Sequence, residues 1–245
     1  MPELSSEGSV IPVEGRDLFV RRSGRTLLNL DHVRFAAEGL TAIVGPNGAG
    51  KSLLLRCLCG LVMPEAGAVT WAGKQPSRTK ARRLGLLLQS PVLLRRSARA
   101  NIAYTLRLDG MGRSAAHDAA DAALAKADLS HIAGTPARVL SGGEKQRLAL
   151  VRLLALRPEI LFLDEPCASL DPASALAIET MIASARDAGI GVVLVTHDLA
   201  QARRLASTVM FMHRGRMVET VPASDFFDTP QSVEGQAFVA GDIVL

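Results

Sequence analysis

The chain has 245 residues, of which 48% are hydrophobic and only 4% aromatic, and its formal net charge is +4 at pH 7. This length suits one large domain or two small ones, with a core built from aliphatic side chains. The charge is compatible with a polyanionic ligand or an anionic surface, but it is too small to indicate nucleic acid, so we expect no nucleic-acid partner.

Neither a membrane span nor a secretory signal is predicted. No apolar run reaches the ~18 residues of a spanning helix, and residues 1–7 carry acids and lack an apolar stretch. The three cysteines, Cys57, Cys59 and Cys167, have no metal-ligand spacing and are interpreted as small buried hydrophobic residues. We therefore expect a cytosolic location.

Continuous apolar runs predict three strands, at residues 40–44, 160–163 and 192–195. Because runs without alternation are typical of strands buried on both faces, these strands are predicted to form a parallel sheet. Residues 209–212 and 217–220 flank a His-Arg-Gly-Arg turn, which predicts an antiparallel hairpin at the edge of the sheet. The polar residues 1–12 precede all of these strands and are predicted to be loose.

Helical patterns alternate with the strands and predict an α/β core. They lie at residues 52–61, 144–156, 173–188 and 199–205. Residues 91–139 interrupt the alternation, because they contain an alanine-rich helix at 115–127 and no strand candidate. We interpret about residues 91–156, including the helix at 144–156, as a helical subdomain inserted into the core. The tail, residues 221–245, is too short for another domain.

The strand at 40–44 runs into a glycine-rich turn that opens a helix. The pattern G-x4-G-K-S in this context predicts a phosphate-binding loop, since glycines let the backbone wrap around phosphates. Lys51 supplies a positive charge and Ser52 a hydroxyl ligand for Mg²⁺. The predicted phosphate-binding residues are Gly45, Pro46, Asn47, Gly48, Ala49, Gly50, Lys51 and Ser52.

An uncharged amide, Gln89, follows the apolar run at 86–88, where the core is expected to meet the helical insert. At that position an amide can sense Mg²⁺ or an attacking water. From spacing alone, a surface glutamine is the default interpretation.

A second phosphate site is predicted where Ser141, Gly142 and Gly143 open the helix at 144–156. Backbone N–H groups and the positive end of a helix dipole together bind anions. One nucleotide pocket is expected in a domain of this size. Two phosphate sites therefore indicate that each serves a different ATP, with two copies of the chain meeting face to face.

Two further core strands end in polar residues suited to phosphate chemistry. The strand at 160–163 ends in Asp164 and Glu165, and two carboxylates there are costly unless they face a cation or water. We expect Asp164 to hold Mg²⁺ through its water shell and Glu165 to polarise the attacking water. His197 follows the strand at 192–195 and is expected to reach a γ-phosphate.

These motifs resemble an ABC ATPase subunit over about residues 13–220. They occur in the family's order: Walker A (45–52), the glutamine loop (Gln89), the signature (140–147), Walker B (160–165), the D-loop (Ser169-Leu170-Asp171) and the switch His197. The resemblance implies a RecA-like P-loop NTPase core that hydrolyses ATP with Mg²⁺. It also implies a head-to-tail nucleotide-sandwich dimer, in which Ser141, Gly142 and Gly143 of one copy bind the γ-phosphate of ATP held by Lys51 of the other.

The adenine site departs from the family pattern. The family usually has an aromatic residue just before the turn that aligns with Ser23-Gly24, whereas this chain has Arg21 and Arg22. Either Arg22 stacks on adenine as a cation–π partner, or the base is held loosely. The nearest aromatic residue, Phe19, is expected to belong to a core strand.

A single short cassette is similar to the motor subunits of membrane transporters, more often importers. The resemblance implies transmembrane permease subunits, a location on the cytoplasmic face of the inner or plasma membrane, and an extracytoplasmic solute-binding protein. Residues 89–102 are similar to tungstate importer ATPases, and residues 226–230 and 237–242 look like that branch and the phosphate importers. We expect an oxyanion such as tungstate. Phosphate, amino acids and a soluble mechanical ATPase are the alternatives.

The permease is expected to dock on residues 89–102. In this interpretation Val92, Leu93 and Leu94 supply apolar contact and Arg95 a polar rim. Ordinary core packing is an equal alternative for the leucines.

Overall fold

The computed structural model describes residues 8–36 and 39–242. Its strands are β1 (Val13–Arg22), β2 (Arg25–Phe35), β3 (Leu40–Val44), β4 (Ala66–Trp71), β5 (Leu84–Leu87), β6 (Ile160–Asp164), β7 (Gly191–Val195), β8 (Thr208–His213) and β9 (Arg216–Pro222). Its α-helices are α1 (Lys51–Leu58), α2 (Ala98–Leu108), α3 (Arg113–Lys126), α4 (Gly142–Leu154), α5 (Pro172–Asp187), α6 (Leu199–Leu205), α7 (Ala223–Asp228) and α8 (Val233–Ala240).

The central sheet has six strands in the order β5-β6-β7-β3-β8-β9. Its first five strands are parallel, and β9 pairs antiparallel with β8 at one edge. Every residue of β6 and β7 is buried, as expected for strands covered on both faces. Strands β2, β1 and β4 form a second, antiparallel sheet. The predicted α/β class with a mostly parallel sheet and an antiparallel edge is confirmed.

The two sheets enclose one core around α1. The rings of Phe35 on β2 and Phe162 on β6 meet edge to face with centroids 5.8 Å apart. The buried indole of Trp71 on β4 donates a hydrogen bond of 2.9 Å to the Leu58 carbonyl at the end of α1. The aromatic contact thus joins the two sheets, and the indole N–H ties α1 to β4.

A separate apolar cluster joins α2 and α3 to the inner face of α4. Ala116, Ala120 and Leu124 form the buried stripe of α3, and Leu148 of α4 belongs to the same cluster. Asn101 of α2 is fully buried, and its amide bonds the backbone of Leu94, Arg96 and Ser97. This amide ties the loop after β5 to the helices.

The prediction that residues 1–12 are loose is wrong for residues 8–12, and residues 1–7 lie outside the described residues. Val10 is fully buried, and its N–H and the Ser9 hydroxyl donate to Glu159 at 2.8 and 2.7 Å. Burial raises the pKa of Glu159, but hydrogen bonds from Val10, Ser9 and Arg83 outweigh it and hold this pKa below its ordinary value. A charged carboxylate therefore anchors this segment.

The tail packs on the far side of the central sheet. Phe226 of α7 and Phe238 of α8 both contact Phe211 of β8, with ring centroids 5.6 and 5.2 Å apart.

Across residues 8–36 and 39–242, none of the helices combines the length and the apolar character that crossing a bilayer requires.

Candidate functional site

The predicted phosphate-binding loop, residues 45–50, joins the end of β3 to the start of α1. Gly45 has a φ of 147°, and a Cβ there would lie 2.0 Å from the Met212 carbonyl oxygen, so only glycine fits. Gly48 also has positive φ, but a Cβ there would meet nothing within 4 Å. One side of the loop is therefore packed on β8, and the side at Gly48 is open to a ligand.

Lys51 folds back over this loop from the first turn of α1. Its Nζ donates to the carbonyl oxygens of Gly45 and Pro46 at 2.7 and 2.9 Å. Burial lowers the pKa of Lys51, and the negative charges of Glu165 and Asp164 oppose that shift. Because hydrogen bonds between charged partners are stronger than those to neutral carbonyls, the ammonium can exchange these contacts for phosphate oxygens.

Ser52 and Asp164 meet at the other side of the loop. The Ser52 hydroxyl donates to Asp164 Oδ1 at 2.7 Å, and Asp164 is only 4% exposed. Burial raises the pKa of Asp164, as does the neighbouring Glu165, against the opposing hydrogen bond from Ser52. A cation would relieve the cost of this buried charge.

Hydroxyl and carboxylate oxygens are the hard ligands that Mg²⁺ prefers, so this pair fits that ion. The described part of the chain has no cluster of three or more His, Cys, Asp or Glu residues that could hold a metal by itself. A magnesium ion here would therefore depend on phosphate oxygens and water for its remaining ligands.

Gln89, Glu165 and His197 come together at the ends of three adjacent strands. Glu165 Oε1 lies 3.2 Å from His197 Nδ1, and Oε2 accepts a hydrogen bond of 3.3 Å from Gln89 Nε2. Gln89 follows β5, Glu165 follows β6 and His197 follows β7. Because the carboxyl ends of parallel strands lie at one edge, residues 76 and 32 positions apart converge there. Within the part of the chain that the structure describes, the Gln89 side chain hydrogen-bonds Glu165 and makes no hydrogen bond to Ser52 or Asp164.

Glu165 has a left-handed backbone with φ of 48°, which is uncommon for a residue with a side chain. Its N–H donates to the Val195 carbonyl at 2.9 Å, so the strained turn is fixed to β7. Such strain is found at sites where a side chain must be aimed. Here the carboxylate lies beside His197.

The signature serine opens α4 as its N-cap. The Ser141 hydroxyl accepts from the Glu144 N–H at 3.3 Å and the Ser141 backbone N–H donates to Glu144 Oε2 at 2.8 Å, which forms a capping box. Hydrogen bonds from the Ser141 backbone and hydroxyl lower the pKa of Glu144. Ser141 and Gly142 are exposed. Across residues 8–36 and 39–242, no hydrogen bond links Ser141 to the P-loop.

Gly143 is buried where α4 meets α5, the helix after the D-loop. A Cβ at Gly143 would lie 2.4 Å from the Ser174 hydroxyl. Asp171 caps α5 by accepting a hydrogen bond of 2.9 Å from the Ser174 N–H. The first turns of α4 and α5 are therefore in close contact within one chain.

Arg22 lies exposed at the end of β1, beside the turn Ser23-Gly24, and faces Arg25 across the hairpin. Arg22 also lies close enough to α1 for its charge to act on Cys57. Burial raises the pKa of the Cys57 thiol to about 11, and the positive charge of Arg22 opposes this rise. Phe19 lies in β1 and is half-buried, as predicted for a strand residue.

The three apolar residues after Gln89 differ in their environments. Val92 is 75% exposed, whereas Leu93 is half-buried and packs against the helical cluster and the sheet. The backbone of Leu94 is fixed by Asn101, and Arg95 is exposed. Sequence reasoning missed Asn101, although the backbone groups that it bonds lie only four to seven residues before it in the chain.

The ABC transporter family model matches residues 28–168. The chain is 37% identical over 205 residues to the tungstate uptake system ATP-binding protein TupC of Peptoclostridium acidaminophilum, which covers 83% of this chain and 94% of that protein. It is 34% identical over 254 aligned residues to the phosphate import ATP-binding protein PstB 1 of Vibrio cholerae serotype O1, with coverage of 97% and 92%.

A solved structure, cbiO1 from Clostridium perfringens, part of the ABC transporter complex cbiONQ, has a TM-score of 0.78 to this chain. Its sequence identity is 24% and it covers 94% of both chains, which shows a shared fold. The family model matches more than half of the chain, and relatives above 30% identity span most of it. The chain therefore belongs to the ABC transporter family, as an ATP-binding subunit with ATPase activity.

Proposed function

We propose that this chain is the motor of an oxyanion importer, and that it hydrolyses ATP in a head-to-tail dimer with a second copy of itself. The observation that supports the dimer is the exposed N-terminus of α4. Among the described residues, Ser141 and Gly142 make no hydrogen bond to residues 45–52 of the same chain. A phosphate site of this kind is complete only when a second chain presents a nucleotide to it.

In the proposed reaction, Glu165 takes a proton from the attacking water. The contacts from Gln89 and His197 support this role, since each holds one carboxylate oxygen. Lys51 and the loop residues Gly45, Pro46, Asn47, Gly48, Ala49 and Gly50 hold the phosphates, with His197 also able to contact the γ-phosphate. The chemistry is then mostly positioning and charge stabilisation.

We propose Ser52, Asp164 and Gln89 as the residues that serve Mg²⁺. Ser52 and Asp164 would hold the ion, and Gln89 would sense it from its place beside Glu165. When bound, Mg²⁺ supplies charge neutralisation at the terminal phosphates. Ser52 and Asp164 otherwise satisfy each other by their hydrogen bond.

For adenine, we propose stacking on Arg22. Its exposure and its proximity to α1 support this role. The alternative is that the base is held weakly, because the side chains beside this turn that could stack on adenine are guanidinium groups.

Within the domain at residues 13–220, we propose that about residues 91–156 form the unit that meets the permease. Its separate apolar cluster supports that division. Val92, which is exposed, supplies apolar contact and Arg95 the rim, whereas the packing of Leu93 favours a core role. Docking on transmembrane permease subunits would hold the chain at the cytoplasmic face of the membrane.

The substrate class rests on the names of the relatives, which import tungstate or phosphate. We propose tungstate or a related oxyanion, delivered by an extracytoplasmic solute-binding protein; phosphate and amino acids are the alternatives. The direct measurement is ATP-driven uptake into vesicles that contain this chain and its permease, with tungstate, phosphate and glutamine compared. Tungstate uptake is expected. Uptake of glutamine alone would contradict an oxyanion importer.

Ser141→Arg is expected to bind ATP normally and to lose hydrolysis. The arginine would occupy the space in which this chain meets its partner's γ-phosphate, while its own P-loop stays intact. ATP affinity by calorimetry and turnover by phosphate release separate the two effects. Ser114→Arg, an equal change at an exposed site on α3, serves as the control and is expected to stay active. Full turnover by Ser141→Arg would mean that the signature faces no nucleotide.

A further inference from the structure

We propose that Glu179 is a positioning residue for the reaction, because it locks the helix after His197 onto the helix after the D-loop. The inference rests on the proposed roles of His197 and Glu165. It assigns a function to a buried charge that takes no part in the nucleotide site itself.

Glu179 lies on α5 and is only 6% exposed. Its carboxylate accepts three hydrogen bonds, all from α6. Gln201 Nε2 donates to Oε1 at 3.1 Å. The Arg204 guanidinium donates to Oε1 at 2.8 Å and to Oε2 at 3.2 Å. A paired, bidentate contact of this kind fixes distance and orientation together.

The partner residue Gln201 is held at both ends. Its side-chain amide bonds Glu179, and its backbone N–H donates to the carboxylate of Asp198 at 3.0 Å. Asp198 is the N-cap of α6 and the next residue after His197, and its own N–H donates to the Thr196 hydroxyl at 3.0 Å. These hydrogen bonds therefore leave little freedom of movement between Glu179 and His197.

At its other end, α5 begins at the D-loop and packs on Gly143 of the signature. Glu179 thus joins two parts of one chain: the signature, proposed to serve the partner's ATP, and His197, proposed to contact the chain's own ATP. A shift of α5 would be passed to His197 through these three hydrogen bonds.

Glu179→Gln tests the contact with little change in volume. The new amide has one acceptor oxygen instead of two, and its NH₂ group would face the donors of Gln201 and Arg204, so α6 is released. Arg204 remains solvated, because its side chain is 55% exposed. We expect α6 to become free to move relative to α5 while the P-loop remains intact.

The expected effect of Glu179→Gln is a fall in kcat of about 10-fold, with KM for ATP changed by less than about twofold. The decisive readout is a double-mutant cycle with His197→Ala. If Glu179 acts through His197, adding Glu179→Gln to His197→Ala is expected to leave kcat unchanged within about twofold.

Asp228→Asn is the matched control. It removes an ion pair of 2.6 Å with Arg203, the neighbour of Arg204 on α6. The side chains of Asp228 and Arg203 are both exposed. Exposed pairs contribute little, so wild-type kcat is expected. If Glu179→Gln does not fold, Arg204→Lys replaces it in the cycle. Arg204→Lys keeps the charge, loses the bidentate contact and is expected to lower kcat about threefold.

Two results would overturn this inference and leave the proposed function of His197 intact. One is a normal kcat for Glu179→Gln. The other is an equal loss of kcat with and without His197, which indicates a general structural role. A normal kcat for His197→Ala is a different failure, because it removes the proposed role of His197 and with it the basis of the inference.

Discussion

Glu165→Gln is expected to bind ATP with nearly unchanged affinity and to hydrolyse it about 10²–10⁴-fold more slowly. The amide keeps the shape of the side chain but cannot take a proton from water. Its contacts are with Gln89 and His197, whereas Lys51 bonds the loop carbonyl of Gly45. With ATP bound and not consumed, the closed dimer should accumulate and elute as such in size-exclusion chromatography with Mg-ATP.

The matched control is Glu159→Gln, at the opposite end of the same strand β6. Glu159 anchors Val10 and Arg83 and touches no residue of the candidate site. Its substitution is expected to lower the free energy of unfolding by about 1–3 kcal/mol and to leave turnover intact below the melting transition. Wild-type turnover by Glu165→Gln would remove the proposed general base. A monomer under saturating Mg-ATP would count against the dimer.

Lys51→Ala is expected to weaken ATP binding about 10- to 100-fold, as estimated from the loss of a hydrogen bond to a charged group, and to abolish measurable turnover. The ammonium is buried beside the loop carbonyls, so other lysines cannot replace it. Binding of a fluorescent ATP analogue and phosphate release measure the two effects separately.

The control for this change is Lys126→Ala at the end of α3, where the lysine is exposed. Normal binding and hydrolysis are expected there. If Lys51→Ala kept wild-type hydrolysis, residues 45–52 would not be the phosphate-binding loop of the enzyme.

The strands that carry the site were predictable from the sequence. Strands β3, β6 and β7 were predicted from their apolar runs, and the parallel pairing of β6 with β7 brings Glu165 and His197 together. Burial on both faces produces this pattern, so no tertiary information is needed to find it. Strand β5, which precedes Gln89 and pairs with β6, was not predicted as a strand. Helix α1 was predicted to reach residue 61, but it ends at Leu58 because Gly60 takes a φ of 70°.

The antiparallel sheet was harder to predict. Strand β1 has exposed charges at Arg16 and Asp17, a positive φ at Asp17 and a shift of register between Arg16 and Phe19. These irregularities disturb the alternation that identifies a half-buried strand. Strand β4 begins with three exposed small residues, which give no apolar signal at all.

Helix α2 left a signal that was not used. Ser97 caps it, and Ala98, Ile102 and Leu106 recur every four residues along its buried side. By contrast, the contacts of Glu179 with α6 join residues 22–25 positions apart, and those of Glu159 with Ser9 and Val10 join residues 149–150 positions apart. No local pattern predicts such pairs, because only the folded chain brings them together.

The most direct test of the composite site is the ATPase rate of the wild-type chain per molecule, measured over a range of protein concentrations with light scattering on the same samples. If the catalytic centre is shared, the specific rate is expected to fall toward zero as dilution separates the copies and to rise to a plateau as dimers form. A constant rate from molecules that scatter as monomers throughout would show instead that one chain alone completes the catalytic centre.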